Sequence, residues 1–349
     1  MFTFPSISQF RHTVKSVQLK STYRGRDEWD NPIYCDLSEV YLPTLLFHGT
    51  VKLHGTNAGV VRHPDGTISV QSRSRIITVK DDNHGFAQFV HTIPMEIWET
   101  LFRQIFGDQV DDRTCVIFGE WCGRGIMKGV GICNFDKLFV IFAAKTILDE
   151  DTSEWIALQD DTNKVNVAEE HRIFNVYHFP TFEIEIDFAD PRASVKKLEA
   201  LTSMVEDACP VTSGLGKTGF GEGIVWRCVT PGYESSRFWF KTKGDKHKVT
   251  KSKKKVSVDP EKAGSISEFV EKTVTEARCQ QGIAHLTEMG HDISRRSTGH
   301  FLKWVGNDIL KEEADTLQAS GLTRKDVGGP ISVAARKWLF KFIDDQLGL

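Results

Sequence analysis

Six ionisable side chains placed at strand ends hold the chemistry of this 349-residue chain. Lys52 opens the string Lys52-Leu53-His54-Gly55-Thr56-Asn57, after the apolar, β-prone run Leu45-Leu46-Phe47-His48-Gly49-Thr50-Val51. Its amine therefore leaves the end of a strand, and Gly55 lets the backbone pass close to a bound ligand. An amine there can attack the α-phosphate of a nucleoside triphosphate and hold the nucleotide through a P–N bond.

Four further strings follow in order: Ser72-Arg73-Ser74, Phe118-Gly119-Glu120-Trp121, Glu222-Gly223-Ile224-Val225 and Phe240-Lys241-Thr242-Lys243. Each type suits one task. Lys52 must be neutral to attack, and positive charge from Lys241, Lys243 and a divalent metal disfavours its protonated form. The same cations neutralise the α-phosphate and the leaving pyrophosphate. Arg73 can grip phosphate oxygens in bidentate fashion or bridge to ribose. Glu120 and Glu222 offer acceptors for ribose hydroxyls and for hydrated Mg²⁺ or Mn²⁺. Phe142, on the next buried strand, is the ring best placed to stack a purine.

These groups need strands to carry them. Val51–Val61 and Thr67–Ser72 read as a hairpin closed by His63-Pro64-Asp65-Gly66. Cys115–Trp121 and Leu138–Thr146 read as fully buried strands. Gly221–Val229 and Arg237–Lys241 read as a pair turning near Pro231-Gly232. Lys241 and Lys243, two apart, share a face and can aim at one target. Helical spacing marks Phe89–Phe106, with Pro94 in an early turn, and Val195–Val205. Such a mixture predicts an α+β fold with antiparallel sheets.

Lys241 to Lys255 is a basic run with one acid, Asp245, and 244–255 reads as a lysine-rich linker. Beyond it Ile266–Thr275, Gln281–Glu288, Thr298–Glu313 and Ile331–Leu347 have helical periodicity, punctuated by Gly290, Gly321 and Gly328-Gly329. Two domains are expected, one over 1–250 and a small helical one over 256–349.

Bulk composition is that of a soluble globular protein: 40% hydrophobic, 26% charged, net charge −3. That balance argues against a generic cationic nucleic-acid coat. Seven scattered cysteines without Cys-x-x-Cys spacing read as reduced thiols in a cytosol-like compartment. The first residues lack a signal core, and no apolar run spans a bilayer. The expectation is a cytoplasmic, monomeric protein with no membrane partner, made by a cell or by a phage or virus inside its host.

The ordered strings resemble motifs I, III, IIIa, IV and V of the covalent nucleotidyltransferase superfamily of ligases and mRNA capping enzymes. His54 with Thr56-Asn57, in place of Lys-x-Asp-Gly, is similar to the RNA ligase 2 family, as is Gly119–Val130 (GEWCGRGIMKGV). The resemblance covers the chain from about residue 45. It implies an N-terminal nucleotidyltransferase domain of the ATP-grasp-like ligase adenylation type and a C-terminal RNA-binding domain. It also implies ATP-dependent joining of 3′-OH and 5′-phosphate RNA ends, with nicked duplex RNA preferred and RNA repair as the setting. Lys52 becomes adenylylated, AMP passes to the 5′-phosphate, and the 3′-hydroxyl then displaces AMP. By position, Arg73 contacts phosphate or ribose, Glu120 binds ribose or helps order metal, and Phe142 stacks adenine. Glu222 is the main metal-associated carboxylate, Lys241 and Lys243 grip phosphate, and His54 and Asn57 match the motif.

Two positions depart from the family pattern. Val51 stands where the family's type member has a glutamate near adenine, and Arg227 stands where it has a lysine. A DNA ligase, a GTP-using capping enzyme and an inactive nucleic-acid-binding module are the competing readings. His54 and the apparent lack of a following OB-like barrel oppose the first two; the intact ionisable set opposes the third. Gly214-Leu215-Gly216-Lys217-Thr218 is not a phosphate loop, because Val211 stands where the pattern needs glycine. Trp226 and Trp239 sit beside motifs and are open to base or sugar contact; Trp98, Trp121, Trp304 and Trp338 read as core or interface. Residues 1–40 have no assigned role.

Overall fold

Leu45, Phe47 and Val51 are buried on one side of Thr44–Lys52, which leaves His48, Thr50 and Lys52 to share the other side. That alternation makes the segment a strand and sets the direction in which Lys52 leaves it. The computed structural model describes residues 1–149, 152–158, 169–244 and 262–347. The chain divides into two compact units, Met1–Gly244 and Asp245–Leu349. Most of the expected lysine linker, with Lys246, Lys248, Lys251 and Lys253 to Lys255, lies outside the described residues.

In the first unit β1 (Ser8–Gln9), β4 (Thr44–Lys52), β12 (Phe182–Asp187), β13 (Gly223–Cys228) and β14 (Phe240–Lys243) form one sheet. Its order is β1-β14-β13-β4-β12, antiparallel except for β1 beside β14. A second sheet runs β10-β9-β8-β5-β6-β7, with β11 parallel to β9 and every other pair antiparallel. Its strands are β5 (Thr56–Arg62), β6 (Ile68–Ser72), β7 (Ile76–Ile77), β8 (Thr114–Cys122), β9 (Leu138–Ile147), β10 (Ser153–Ile156) and β11 (Ile173–Asn175). A small ribbon pairs β2 (Tyr23–Arg26) with β3 (Pro32–Tyr34).

Helices α1 (Phe10–Thr22), α2 (Phe86–Thr92), α3 (Met95–Phe106), α4 (Gln109–Asp112), α5 (Val195–Asp207) and α6 (Pro210–Gly214) complete this unit. On α3, Trp98, Leu101, Phe102 and Ile105 recur at helical spacing and pack with Val60, Ile117 and Ile141 of the second sheet. The other side of that sheet, with Val61, Val116 and Phe118, is left for the site.

The second unit is helical: α7 (Lys262–Thr273), α8 (Glu276–Glu288), α9 (Thr298–Glu312), α10 (Ala314–Ala319) and α11 (Arg324–Leu347). Phe269, Phe301, Val305, Ile331 and Leu339 lie in its core. Arg278 is fully buried there, held by Asp308 at 2.8 Å and Glu313 at 3.3 Å, and it donates to Thr273 O.

The fold is thus mixed α and β, with antiparallel-rich sheets and C-terminal helices. Four local expectations change. Val51–Val61 is two strands, because the chain leaves one sheet at Lys52 and enters the other at Thr56. Phe89–Phe106 is two helices broken at Pro94, whose ring holds Ile93 in extended geometry (φ −89, ψ 130). The expected Arg237–Lys241 strand starts only at Phe240, after a 3₁₀ turn at Ser236–Phe238. Gly328-Gly329 does not end a helix, since burial of Val327 and Ile331 carries α11 through it and through Pro330. Gly290 and Gly321, at φ +74 and +64, do follow helix ends. Among the described residues no helix is long and apolar enough to cross a membrane.

Candidate active site

Register builds the site. Lys52 pairs with Gly223 across one strand boundary, and Gly223 pairs with Lys243 across the next. Glu222, the residue before Gly223, therefore stands between two amines far apart in sequence. Its Oε2 accepts from Lys52 Nζ at 2.7 Å, and its Oε1 lies 2.9 Å from Lys243 Nζ. His54 Nδ1 lies 3.0 Å from the same Oε2. Glu222 is 2% exposed, so these contacts are made largely out of water.

Two glycines make the approach possible. A Cβ on Gly223 would collide with Thr242 O, and its φ of +154 is uncomfortable for other residues. A Cβ on Gly55 would collide with Trp121 O. The close approach at Gly55, expected for a bound ligand, is to the protein's own β8 backbone. Through that approach the Gly55 amide donates to Glu120 Oε1 at 2.9 Å, tying the end of β4 to the second sheet.

Charge in the cluster differs from expectation. Burial opposes ionisation of Lys52, but Glu222 and then Glu120 outweigh it and raise its pKa above the ordinary lysine value. An opposite charge within about 4–6 Å moves a pKa by roughly 1–3 units, which is enough to reverse a desolvation cost. Lys52 is thus an ion-paired ammonium, contrary to the expected depression. Burial likewise opposes the Glu222 carboxylate, yet Lys243, Lys52 and His54 together hold it well below the usual range. Burial pushes Glu120 up to about 7, with Lys52 pulling the other way.

The remaining candidates line the same cleft. On the first sheet Thr50, Val225 and Lys241 are in register, one step along from Lys52, Gly223 and Lys243. Strand alternation puts His48, Arg227, Lys241, Lys243 and Lys52 on one side. Arg227 Nη2 donates to Phe142 O of the second sheet at 2.8 Å, while its buried Nε has no hydrogen-bond partner. On the second sheet Asn57 is opposite Glu120, and Val61, Val116 and Phe118 share that side. Phe142 joins them through a bulge: Phe118 pairs with Ala143 and Gly119 with Ile141, leaving Phe142 as the extra residue. Arg73 is exposed, just beyond β6, and donates to Ser6 Oγ at 3.1 Å.

Lys52, His54, Glu222 and Lys243 therefore form one contact network, to which Glu120 is coupled by charge; Asn57 is opposite Glu120 and Lys241 is one register step from Lys243. Arg73 and Phe142 lie along the cleft without direct contact to Glu222. Among the described residues no group of three or more His, Cys, Asp or Glu is set to hold a metal ion. Two carboxylates alone suit a cation that keeps most of its water, as Mg²⁺ does. Trp226 is core, packed on Gly49 and donating to Thr242 Oγ1. The Gly214–Thr218 string follows two helices, not a strand. Trp155 and Arg227 line the cleft as well. The sequence already marked Arg227, which stands where the family pattern has a lysine and shares a side of β13 with Gly223, but carried no signal for Trp155.

A family model described as RNA ligase matches residues 46–243. No curated protein matches the chain. Among solved structures, a mutant of Naegleria gruberi RNA ligase with ATP and Mn is similar at 14% identity and TM-score 0.39, covering 70% of this chain and 57% of that one. A second mutant of that ligase with ATP and Mn gives 14%, 0.41, 70% and 56%. A third, with AMP and Mn, gives 12%, 0.39, 70% and 56%. The chain thus matches little more than half the length of these structures.

Proposed function

The chain belongs to the RNA ligase family, and from that premise we infer that it joins RNA ends with ATP through a nucleotide carried on Lys52. The observation that carries the reading is the register of Lys52 and Lys243 about Gly223, which gives Glu222 two amines to hold.

In the first step Lys52 loses its extra proton and its nitrogen attacks the α-phosphorus. The P–N bond forms as the bond to pyrophosphate oxygen breaks, and the amine's second proton leaves to solvent. Lys241, Lys243 and Arg227 supply positive charge along the cleft for the phosphates. Glu222 and Glu120 are the carboxylates that would hold a divalent cation such as Mg²⁺ or Mn²⁺, which would supply further charge neutralisation when bound. Phe142 stacks the base, and Arg73 reaches phosphate or ribose. In the second step an RNA 5′-phosphate oxygen takes AMP from Lys52. In the third a 3′-hydroxyl attacks that 5′-phosphate and AMP leaves.

Motif order and His54 support placement within the RNA ligase 2 family, and that resemblance implies nicked duplex RNA as the substrate; a monomer is the proposed working form. The first unit is the nucleotidyltransferase domain, and the helical unit grips RNA backbone. Mass spectrometry of the protein incubated with ATP and Mg²⁺ tests the mechanism. AMP on the peptide containing Lys52 is expected; a modified peptide elsewhere, or an adduct formed only with GTP, overturns it. Sealing of all-DNA nicks as well as RNA nicks removes the RNA assignment.

A further inference from the structure

Met1–Gln9 crosses the cleft just described. The Phe2 amide donates to Gln71 Oε1 at 2.9 Å, and Gln71 Nε2 donates back to Phe2 O. Ser6 receives Arg73, and Ser8–Gln9 pairs in parallel with Phe240-Lys241. Between these anchors the Phe4 ring enters a slot with walls from both sheets. Its centroid is 4.9 Å from Phe142, 5.5 Å from Phe118, 5.8 Å from Trp155 and 6.1 Å from Trp239. Arg227 closes the slot behind Trp239, with its guanidinium 4.5 Å from that ring.

The slot has the chemistry of a base site: four aromatic side chains around one ring, with a half-buried cation behind them. It lies on the side of the second sheet that carries Glu120. The segment that fills it also holds Arg73, so one peptide touches both side chains read as nucleotide contacts. We propose that the slot walled by Phe118, Phe142, Trp155 and Trp239 is the purine site, and that Phe4 is a built-in competitor strapped across it. This rests on the function inferred above. A base stacked on Phe142 within the slot needs the place that Phe4 takes, so nucleotide entry lifts Met1–Ser6 away and releases Arg73 from Ser6.

Occupied by its own strap, the site binds nucleotide more weakly by the fraction of time it is open. Hydrogen exchange of the full chain tests this with Mg²⁺ and an ATP analogue whose α,β-bridge cannot be cleaved. Exchange across Phe2–Gln9 should accelerate on binding, and Phe4→Ala should lower the ATP concentration for half-maximal Lys52 modification by about tenfold. AMP transfer to Lys52 with unchanged exchange at Phe2–Gln9 overturns the strap and leaves the ligase reading standing. A higher ATP requirement in Phe4→Ala also overturns it, because Phe4 would then be holding the base. Absence of any adduct in both proteins removes the ligase reading and the strap with it. Phe4→Leu, which keeps apolar bulk but not the ring, should fall between the two and guards against a folding defect.

Discussion

Lys52 is an ammonium locked to a carboxylate, and the proposed nucleotide transfer has to begin with the loss of that charge. Lys52→Ala should abolish the AMP adduct, a loss of at least about a thousandfold in the first step. It should still join RNA that already carries 5′-AMP, because in the proposed mechanism the lysine acts before that stage; mass spectrometry and gel assays of the two reactions separate these outcomes. Glu120 gives a second test. Its folded pKa of about 7 lies above the ordinary 4.5, so the folded state binds the proton more tightly than the unfolded state. That contribution to stability is complete below the unfolded value and is lost as pH rises through about 7. Over that span the group's loss is on the order of 3 kcal/mol. Glu120→Gln should therefore melt near wild type at about pH 5 and above it at about pH 8, without nucleotide or metal. Equal pH slopes for the two proteins would contradict the shift.

At the scale of elements, glycines and buried ions do the positioning. Gly55→Ala drives a methyl into Trp121 O and must move either the end of β4 or β8. A cost of roughly 1–3 kcal/mol is expected in denaturant melts, together with a slower first step as Glu120 loses the Gly55 amide. Arg278 is the corresponding weak point of the helical unit. Arg278→Ala leaves Asp308 and Glu313 without their shared cation and should cost about 3–5 kcal/mol, read as faster hydrogen exchange across α8 and α9. Propensity was the poorer guide in these elements. Gly328-Gly329 and Pro330 look like a stop, yet neighbouring apolar residues gain more by packing than the backbone loses. Pro94 did break its helix, because the missing N–H and the ring clash act locally whatever surrounds them.

For the whole molecule, two compact units imply a division of labour that can be assayed. A chain ending at Gly244 should retain AMP transfer to Lys52 and lose most joining of nicked RNA. RNA binding by the full chain should weaken steeply with salt, in proportion to the phosphates neutralised. Salt-insensitive binding would speak against a backbone grip by the helical unit.

Residue types along the chain determined much of this. A strand-end lysine, two strand-end carboxylates and a Lys-x-Lys pair are local facts, because alternation along one strand decides which side chains share a face. The hairpin turn at His63–Gly66 and the helices beyond residue 262 were legible from equally local signals, turn residues and helical periodicity. Tertiary structure alone decided which strand ends meet. Register between β4, β13 and β14 depends on packing of a whole sheet, and it turned Lys52 from an expected free amine into Glu222's partner. It also decided that Phe4 fills the slot beside Phe142, since no short-range pattern encodes a contact between segments so distant in the chain.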